Sequence, residues 1–210
     1  MAGCCPPRGY DAMFDRRQAR RDLRRWRDKG LHADARDAVD FLSREGAATV
    51  LEIGGGIGAT QVELLRGGAE RTVNVELSGG YEEVARELAR EEGVEGRVER
   101  RIGDAVSSEL PDADAVLLVR VVCCYADYEA LLAAAAGHAR RFLVFTFPRS
   151  GPLASTIVAV GNLFLRLRRR DFRAYAHPRS AMLAAAERHG LRLVHERRAL
   201  VWETAALVRR

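Results

Sequence analysis

The stretch Thr49-Val50-Leu51-Glu52-Ile53-Gly54-Gly55-Gly56-Ile57-Gly58 decides the fold. Its first five residues are mostly apolar and run straight into glycine, the pattern of a buried strand closed by a tight turn. The glycines at 54, 55, 56 and 58 let the chain bend sharply and let a ligand approach backbone N–H groups at the start of the next helix. A nucleotide-like ligand is implied. Taken alone, the glycines leave two other readings open. Gly54, Gly56 and Ala59 also satisfy the dinucleotide pattern G-x-G-x-x-G/A, and a turn that holds no ligand has the same composition.

Outward from this turn the chain alternates. A helix near Ala59–Leu65 is followed by a strand at Thr72–Glu76, a helix at Tyr81–Glu92, and strands at Arg97–Ile102 and Ala115–Val119. A helix at Asp127–His138 and a strand at Phe142–Phe147 continue the series. Strands separated by helices of about a dozen residues predict a parallel sheet covered on both faces. After Phe147-Pro148 the rhythm breaks. Residues 149–177 read as an insertion with its own helix, an apolar run Leu153–Leu165 followed by Arg166, Arg168, Arg169, Arg170 and Arg173. A helix at Arg179–Arg188 then leads into two strand-like runs, Leu191–His195 and Val201–Val208, separated by a few polar residues and expected to pair antiparallel. Upstream, Ala19, Leu23 and Trp26 recur at helical spacing from Asp15 to Lys29, with Gly30 as a stop, and a second helix is expected over Asp34–Arg44. Residues 1–46 thus read as an N-terminal helical arm or cap, 47–210 as the ligand-binding domain, and 149–177 as a cap inserted into it.

Three acids narrow the ligand. Glu76 ends the second strand, 22 residues after Gly54, where a carboxylate can accept hydrogen bonds from both hydroxyls of a ribose. Gly103-Asp104 ends the third strand, which puts a short acid beside the place of an adenine ring. Glu52 stands two residues before the first glycine, where the dinucleotide pattern requires no acid. This order, with the final antiparallel pair, resembles that of class I S-adenosylmethionine-dependent methyltransferases from about Thr49 to Arg210. The resemblance implies an α/β fold: a Rossmann-like, seven-stranded, mostly parallel sheet with a C-terminal antiparallel hairpin and helices on both faces. It implies S-adenosyl-L-methionine as cofactor, with Gly54, Gly56 and Gly58 at its methionine end, Glu76 at its ribose and Asp104 at its adenine. Glu52 and Arg120 complete the expected cofactor-binding set. A nicotinamide-dependent reductase of this length would need a catalytic Tyr/Lys pair, and the one lysine, Lys29, lies in the arm.

Further segments are similar to magnesium-protoporphyrin O-methyltransferases: Tyr10–Gly30, Val122-Cys123-Cys124-Tyr125, Phe147-Pro148, and Gly161-Asn162-Leu163-Phe164 followed by Tyr175-Ala176-His177. Where those enzymes commonly read His-Tyr-Pro, this chain has Cys124-Tyr125-Ala126, so the histidine that could assist transfer to a propionate is lost. The similarity implies that the loop after the fourth strand faces the reactive methyl and that arm and insertion fold over the acceptor. Cys124, Tyr125, Tyr10, Tyr175 and His177 are therefore the acceptor-positioning candidates. Cys123 reads as a core residue, and His177, before Pro178, reads equally as the leader of a helix. Transfer from a sulfonium needs mainly in-line positioning, which contributes about 7–11 kcal/mol in the best cases. A base is required only for a phenol, alcohol or amine. We expect transfer to oxygen of a small molecule.

The chain has 210 residues, 48% hydrophobic and 30% charged, enough for one cored domain and unlike a disordered, collagen-like or disulfide-scaffold chain. Pro152–Leu165 falls about a third short of the roughly 20 residues of a membrane span, and no apolar export signal stands at the N-terminus, so a cytoplasmic protein is expected. The net charge of +5 is unevenly spread: residues 1–30 carry nine basic against four acidic side chains, residues 140–173 eight against one, and residues 31–139 ten against twenty-one. Two basic caps over an acidic cofactor domain would steer an anion inward, and Leu153–Leu165 would give the acceptor an apolar wall. Two alternatives are a solvated helix end and a helix lying on anionic lipid through residues 152–173. Nucleic acid is not the expected partner, because Trp26 is the one aromatic among the basic residues of the arm's helix and lies on its apolar stripe. Cys4-Cys5 and Cys123-Cys124 lack metal-ligand spacing and are expected as free thiols with no metal bound; the alternative is a soft-metal cluster joining Cys4 or Cys5 to Cys124.

Overall fold

The computed structural model describes residues 7–149 and 151–210. Three helices, α1 (Pro7–Met13), α2 (Arg16–Lys29) and α3 (Ala33–Arg44), precede β1 (Thr49–Ile53). Then come α4 (Ala59–Arg66), β2 (Arg71–Glu76), α5 (Glu82–Glu91), β3 (Val98–Ile102), β4 (Ala113–Leu118), α6 (Tyr128–His138) and β5 (Ala139–Pro148). The chain ends with α7 (Pro152–Leu167), α8 (Arg179–Glu187), β6 (Leu191–Arg198) and β7 (Trp202–Arg209). The strands form one sheet in the order β3-β2-β1-β4-β5-β7-β6. β1 to β5 run parallel, and β7 pairs antiparallel with both β5 and β6.

Side chains of successive strand residues leave the sheet on opposite faces, and the apolar runs use both. Leu51, Val116, Leu118, Leu143 and Phe145 point into a core shared with α6 and α8, while Val50, Ala115, Leu117, Phe142 and Val144 join a second core under α2 to α5. Burial on both faces is why these strands read as near-continuous apolar runs. The helix ends follow local chemistry. Asp15 caps α2 by accepting from Gln18 N at 2.8 Å, and Gly30 stops it at φ +67°. Asp127 caps α6 through Ala130 N at 3.0 Å.

Three elements differ from the sequence reading, β5 among them, which begins at Ala139 rather than Phe142 because its ladder with β4 starts at Ala113↔Ala139. α1 was not expected, because seven residues carry too little periodicity to show. β6 runs to Arg198 rather than His195 because the ladder with β7 continues to Arg198↔Glu203. The basic face of α2 has an internal use: Arg16 and Arg20 pair with Glu83 and Glu87 of α5 at 2.5 and 2.6 Å, and Arg27 pairs with Glu91. Among the described residues, no helix is long and apolar enough to cross a membrane.

Candidate active site

The glycine turn is shaped from both sides. Gly54, Gly56 and Gly58 take φ values of +71°, +54° and +80°, a conformation that favours glycine. A Cβ on Gly54 would come 2.6 Å from Val121, and one on Gly55 would come 2.4 Å from Glu52 Oε2. β2 holds the turn from beneath: Gly54 N donates to Val75 O at 2.8 Å, Gly55 N to Asn74 Oδ1 at 2.9 Å, and Gly56 N to Glu76 Oε2 at 2.8 Å. Arg100 of β3 ties the top, its Nη2 donating to Gly56 O at 2.9 Å and its Nε to Glu82 Oε2 at 3.0 Å.

Three carboxylates stand around this turn. Glu52 is fully buried; Thr60 donates to its Oε1, whereas Oε2 has no hydrogen-bond partner. Burial raises its pKa from 4.5 to about 7, against the Thr60 hydrogen bond and the charge of Arg100. Burial likewise raises the pKa of Glu76, against the Gly56 N–H and Arg100. Asp104 is gripped by Tyr125, whose hydroxyl is 3.0 Å from each carboxylate oxygen, and by Val106 N at 3.0 Å. All three line a cavity of about 340 Å³ at the carboxyl ends of β1 to β4, where the strand order reverses. A turn that one methyl group would close, over two buried acids of which one has an unpartnered oxygen, fits a compact cationic adenosyl ligand.

The N-terminal arm supplies the opposite wall. Tyr10 of α1 donates its hydroxyl to Cys124 O and stacks edge-on against Phe172 at 5.6 Å; Phe14 meets the same ring at 5.5 Å. Ser78, fully buried, reaches Asp11 Oδ1 at 2.8 Å and Phe14 O at 3.1 Å. Tyr81 donates to Asp22 Oδ2 at 2.6 Å, and burial together with Asp22 raises its pKa, so the phenol stays protonated. His32 leads α3 and also lines the cavity. Burial, then the charges of Arg120 and Arg25, lower its pKa, which leaves the imidazole neutral at pH 7.

The other site candidates are placed as follows. Arg120 lines the cavity, but its guanidinium is engaged by Asp34, with Nε–Oδ2 2.8 Å and Nη2–Oδ1 2.6 Å, and lies 4.4 Å over the Trp202 ring. Its main chain is left-handed at φ 59° and its N–H donates to Thr146 at 2.9 Å, so it braces α3 against β5 and β7. Cys124 and Tyr125 line the cavity, with Tyr125 directed at Asp104. Gly58 lies just behind the lining residues as the N-cap of α4. Tyr175 and His177 do not line the cavity. They stack 5.6 Å apart behind the 122–125 loop, where Tyr175 N donates to Cys123 O at 2.7 Å and His177 Nε2 sits 2.9 Å from Tyr125 O. The Cys123 and Cys124 sulfurs are 3.8 Å apart, and that contact lowers the Cys123 pKa. Cys4 and Cys5 lie outside the described residues. Of the expected apolar wall Leu153–Leu165, the side chains of residues 153–155 and 157 lie outside the described ones, and none of those described on α7 lines the cavity. Its half-buried face is pinned away from the cavity, with Asn162 exchanging hydrogen bonds of 2.8 and 2.9 Å with Ala174.

Sequence reasoning missed Gly55, Tyr81, Phe14, Asp22, Arg25 and His32 in the wall and Arg100 above it. Gly55 alone had a local signal, its place inside the glycine run. The rest converge only through the docking of the arm and the pairing of β2 with β3.

Comparison with known proteins follows this geometry. A family model described as a methyltransferase domain matches residues 51–141, from β1 to the start of β5. Comparison with curated proteins gives no significant match. Among solved structures, magnesium protoporphyrin IX methyltransferase from Synechocystis superposes with a TM-score of 0.69 at 20% identity, over 84% of this chain and 82% of that one. An O-methyltransferase family protein from Burkholderia thailandensis gives 0.69 at 19%, over 83% of this chain and 56% of that one. Geranyl diphosphate C-methyltransferase from Streptomyces coelicolor gives 0.68 at 16%, over 83% and 79%. Residues 51–141 thus match a methyltransferase domain, and the sheet that carries them has the fold of solved S-adenosylmethionine-dependent methyltransferases.

Proposed function

We propose that the enzyme methylates an oxygen of a small, anionic and partly apolar acceptor held between the glycine turn and the Tyr10–Phe14 wall. The observation that carries this reading is that one cavity joins the carboxylates of Glu76 and Asp104 to that aromatic wall. When bound, the cofactor supplies a methyl group already activated on a sulfonium. The chain's own residues then have to hold and orient. Glu76 accepts from the ribose hydroxyls, Asp104, fixed by Tyr125, accepts from the adenine amine, and the unpartnered Oε2 of Glu52 faces the cation. Gly54, Gly56 and Gly58 keep the turn open for the methionine end, and Arg120 acts as a positioning residue through Asp34.

The arm, from its described start to residue 46, and the strap that follows α7 form the cap. Tyr10, Phe14 and Cys124 border the acceptor, while Tyr175 and His177 position the 122–125 loop from behind. Arg25 gives this wall a positive charge, in keeping with an anionic acceptor, while the charge of Arg120 is met by Asp34. A carboxylate acceptor needs no base; for a phenol, neutral His32 is the group in the wall able to take the proton. Small acceptors suit the fold neighbours too, one of which holds geranyl diphosphate. The test is methyl transfer from labelled S-adenosylmethionine to a panel of carboxylated and hydroxylated aromatics, tetrapyrroles included. Turnover confined to anionic members is expected. S-adenosylhomocysteine binding without turnover of any anionic member would overturn the acceptor class and leave the cofactor cradle standing.

A further inference from the structure

α7 has two faces of opposite use. Val158, Asn162 and Leu165 are half-buried and turn inward, whereas Val160, Leu163, Phe164 and Leu167 are 61, 56, 52 and 75% exposed. These four follow i, i+3, i+4, i+7 spacing, so they form one continuous apolar stripe directed at solvent. Single exposed aliphatics are ordinary, but a whole helical stripe turned outward is not. Arginines border its C-terminal end: Arg166, Arg168, Arg169, Arg170 and Arg173, with Arg168 stacked 4.2 Å over Phe164. Asp171 is the one acid in residues 140–173, so this charge is not neutralised locally. A second exposed pair, Leu200 and Val201 at 88 and 57%, lies in the β6–β7 turn, which Arg149 N joins to the base of α7 by a 2.8 Å hydrogen bond to Val201 O.

We propose that this face docks peripherally on an anionic phospholipid bilayer, with the stripe among the acyl chains near the interface and the arginines at the headgroups. At about 1.5 Å per residue the 16-residue helix is about 24 Å long, a length suited to lying in the interface plane. Charge selects the occupant. The arginine cluster at the end of the stripe complements an anionic surface. Through Asn162 and Ala174 the helix is fastened to the strap that carries Phe172, so the bilayer would lie beside the cap of the acceptor site.

Co-sedimentation with vesicles tests this without turnover, so it stands or falls separately from the acceptor proposal. Binding to mixed phosphatidylcholine–phosphatidylglycerol vesicles is expected, with little to pure phosphatidylcholine. R168Q/R169Q/R170Q should weaken partitioning about a hundredfold, from about 1 kcal/mol per basic residue near such a surface, and L163S/F164S should weaken it at every salt concentration. An unchanged melting shift with S-adenosylhomocysteine shows that each variant is folded. Absence of anionic-vesicle binding, or binding indifferent to both variants, overturns the proposal. So does a dimer in light scattering that L163S/F164S turns into a monomer, because a second copy would then cover the stripe.

Discussion

At the scale of residues, the unpaired oxygen of Glu52 has a measurable consequence. Below pH 4.5 folded and unfolded chains both hold the proton; between 4.5 and about 7 only the folded chain keeps it. Stability therefore drains away as pH rises through that window, to a full cost of about 3 kcal/mol above pH 7. Glu52→Gln removes the titration, so its unfolding free energy relative to wild type should climb by up to that amount from pH 4.5 to 8 and then level off. Urea titrations of the ligand-free protein across this range check it, and a pH-independent difference would refute it. Glu76→Ala is expected to lose two charge-assisted hydrogen bonds to the ribose, about 2–4 kcal/mol or 30- to 700-fold in affinity, read by calorimetry with S-adenosylhomocysteine. The acids were legible because each stands in or just after a strand at a fixed distance from glycine. His32 and Arg25 were not, because nothing local says that a helix of the arm closes over the sheet, and Arg120 drew a cofactor role while its guanidinium is spent on Asp34, 86 residues away.

At the scale of elements, the arm is attached by few but specific contacts. Gly80 accepts the arm so closely that a Cβ there would stand 2.3 Å from Phe14 O, and Ser78 reaches both Asp11 and Phe14 from beneath. The arginine–glutamate row between α2 and α5 adds orientation more than energy, since exposed pairs contribute about 0–1 kcal/mol each. Ser78→Ala leaves Asp11 and the Phe14 carbonyl without that hydroxyl, at a local cost of about 1–2 kcal/mol. Amide exchange in residues 7–14 should accelerate about 5- to 30-fold while β1 and β4 keep their protection; equal exchange in both proteins would show that α1 is held by other contacts. Helices were readable where one face is apolar and the other charged, and the central strands where a short run is apolar on both faces. α7 shows where that reading stops: an apolar run announces a helix, but not whether its greasy side faces a pocket or solvent, and here Asn162 decides by hydrogen-bonding inward.

At the scale of the whole molecule, a net charge of +5 is built from opposed parts. Arg16, Arg20 and Arg27 of the basic α2 pair with Glu83, Glu87 and Glu91 of α5, so part of the arm's charge is met within the fold, and the second basic segment carries its charge to the surface. The cavity sits between the arm and the strand tips and draws lining residues from both, with Tyr81 bonded to Asp22 across the gap. A ligand there binds the assembled state and not the unfolded chain, so it stabilises the molecule by mass action. S-adenosylhomocysteine at a hundred times its Kd contributes about 2.7 kcal/mol. For a chain of this size each kcal/mol shifts Tm by about 2–4 °C, so a rise of about 5–11 °C is expected in thermal melts. NAD should give none at equal concentration: Glu52 and Glu76 both lie at the turn where its pyrophosphate would be, and an anion would hold their carboxyls protonated, whereas a cation draws them to the ionised form that attracts it. A melt that NAD raises and S-adenosylhomocysteine leaves in place would mean that the glycine turn holds phosphate, and the carboxylates would then need another account.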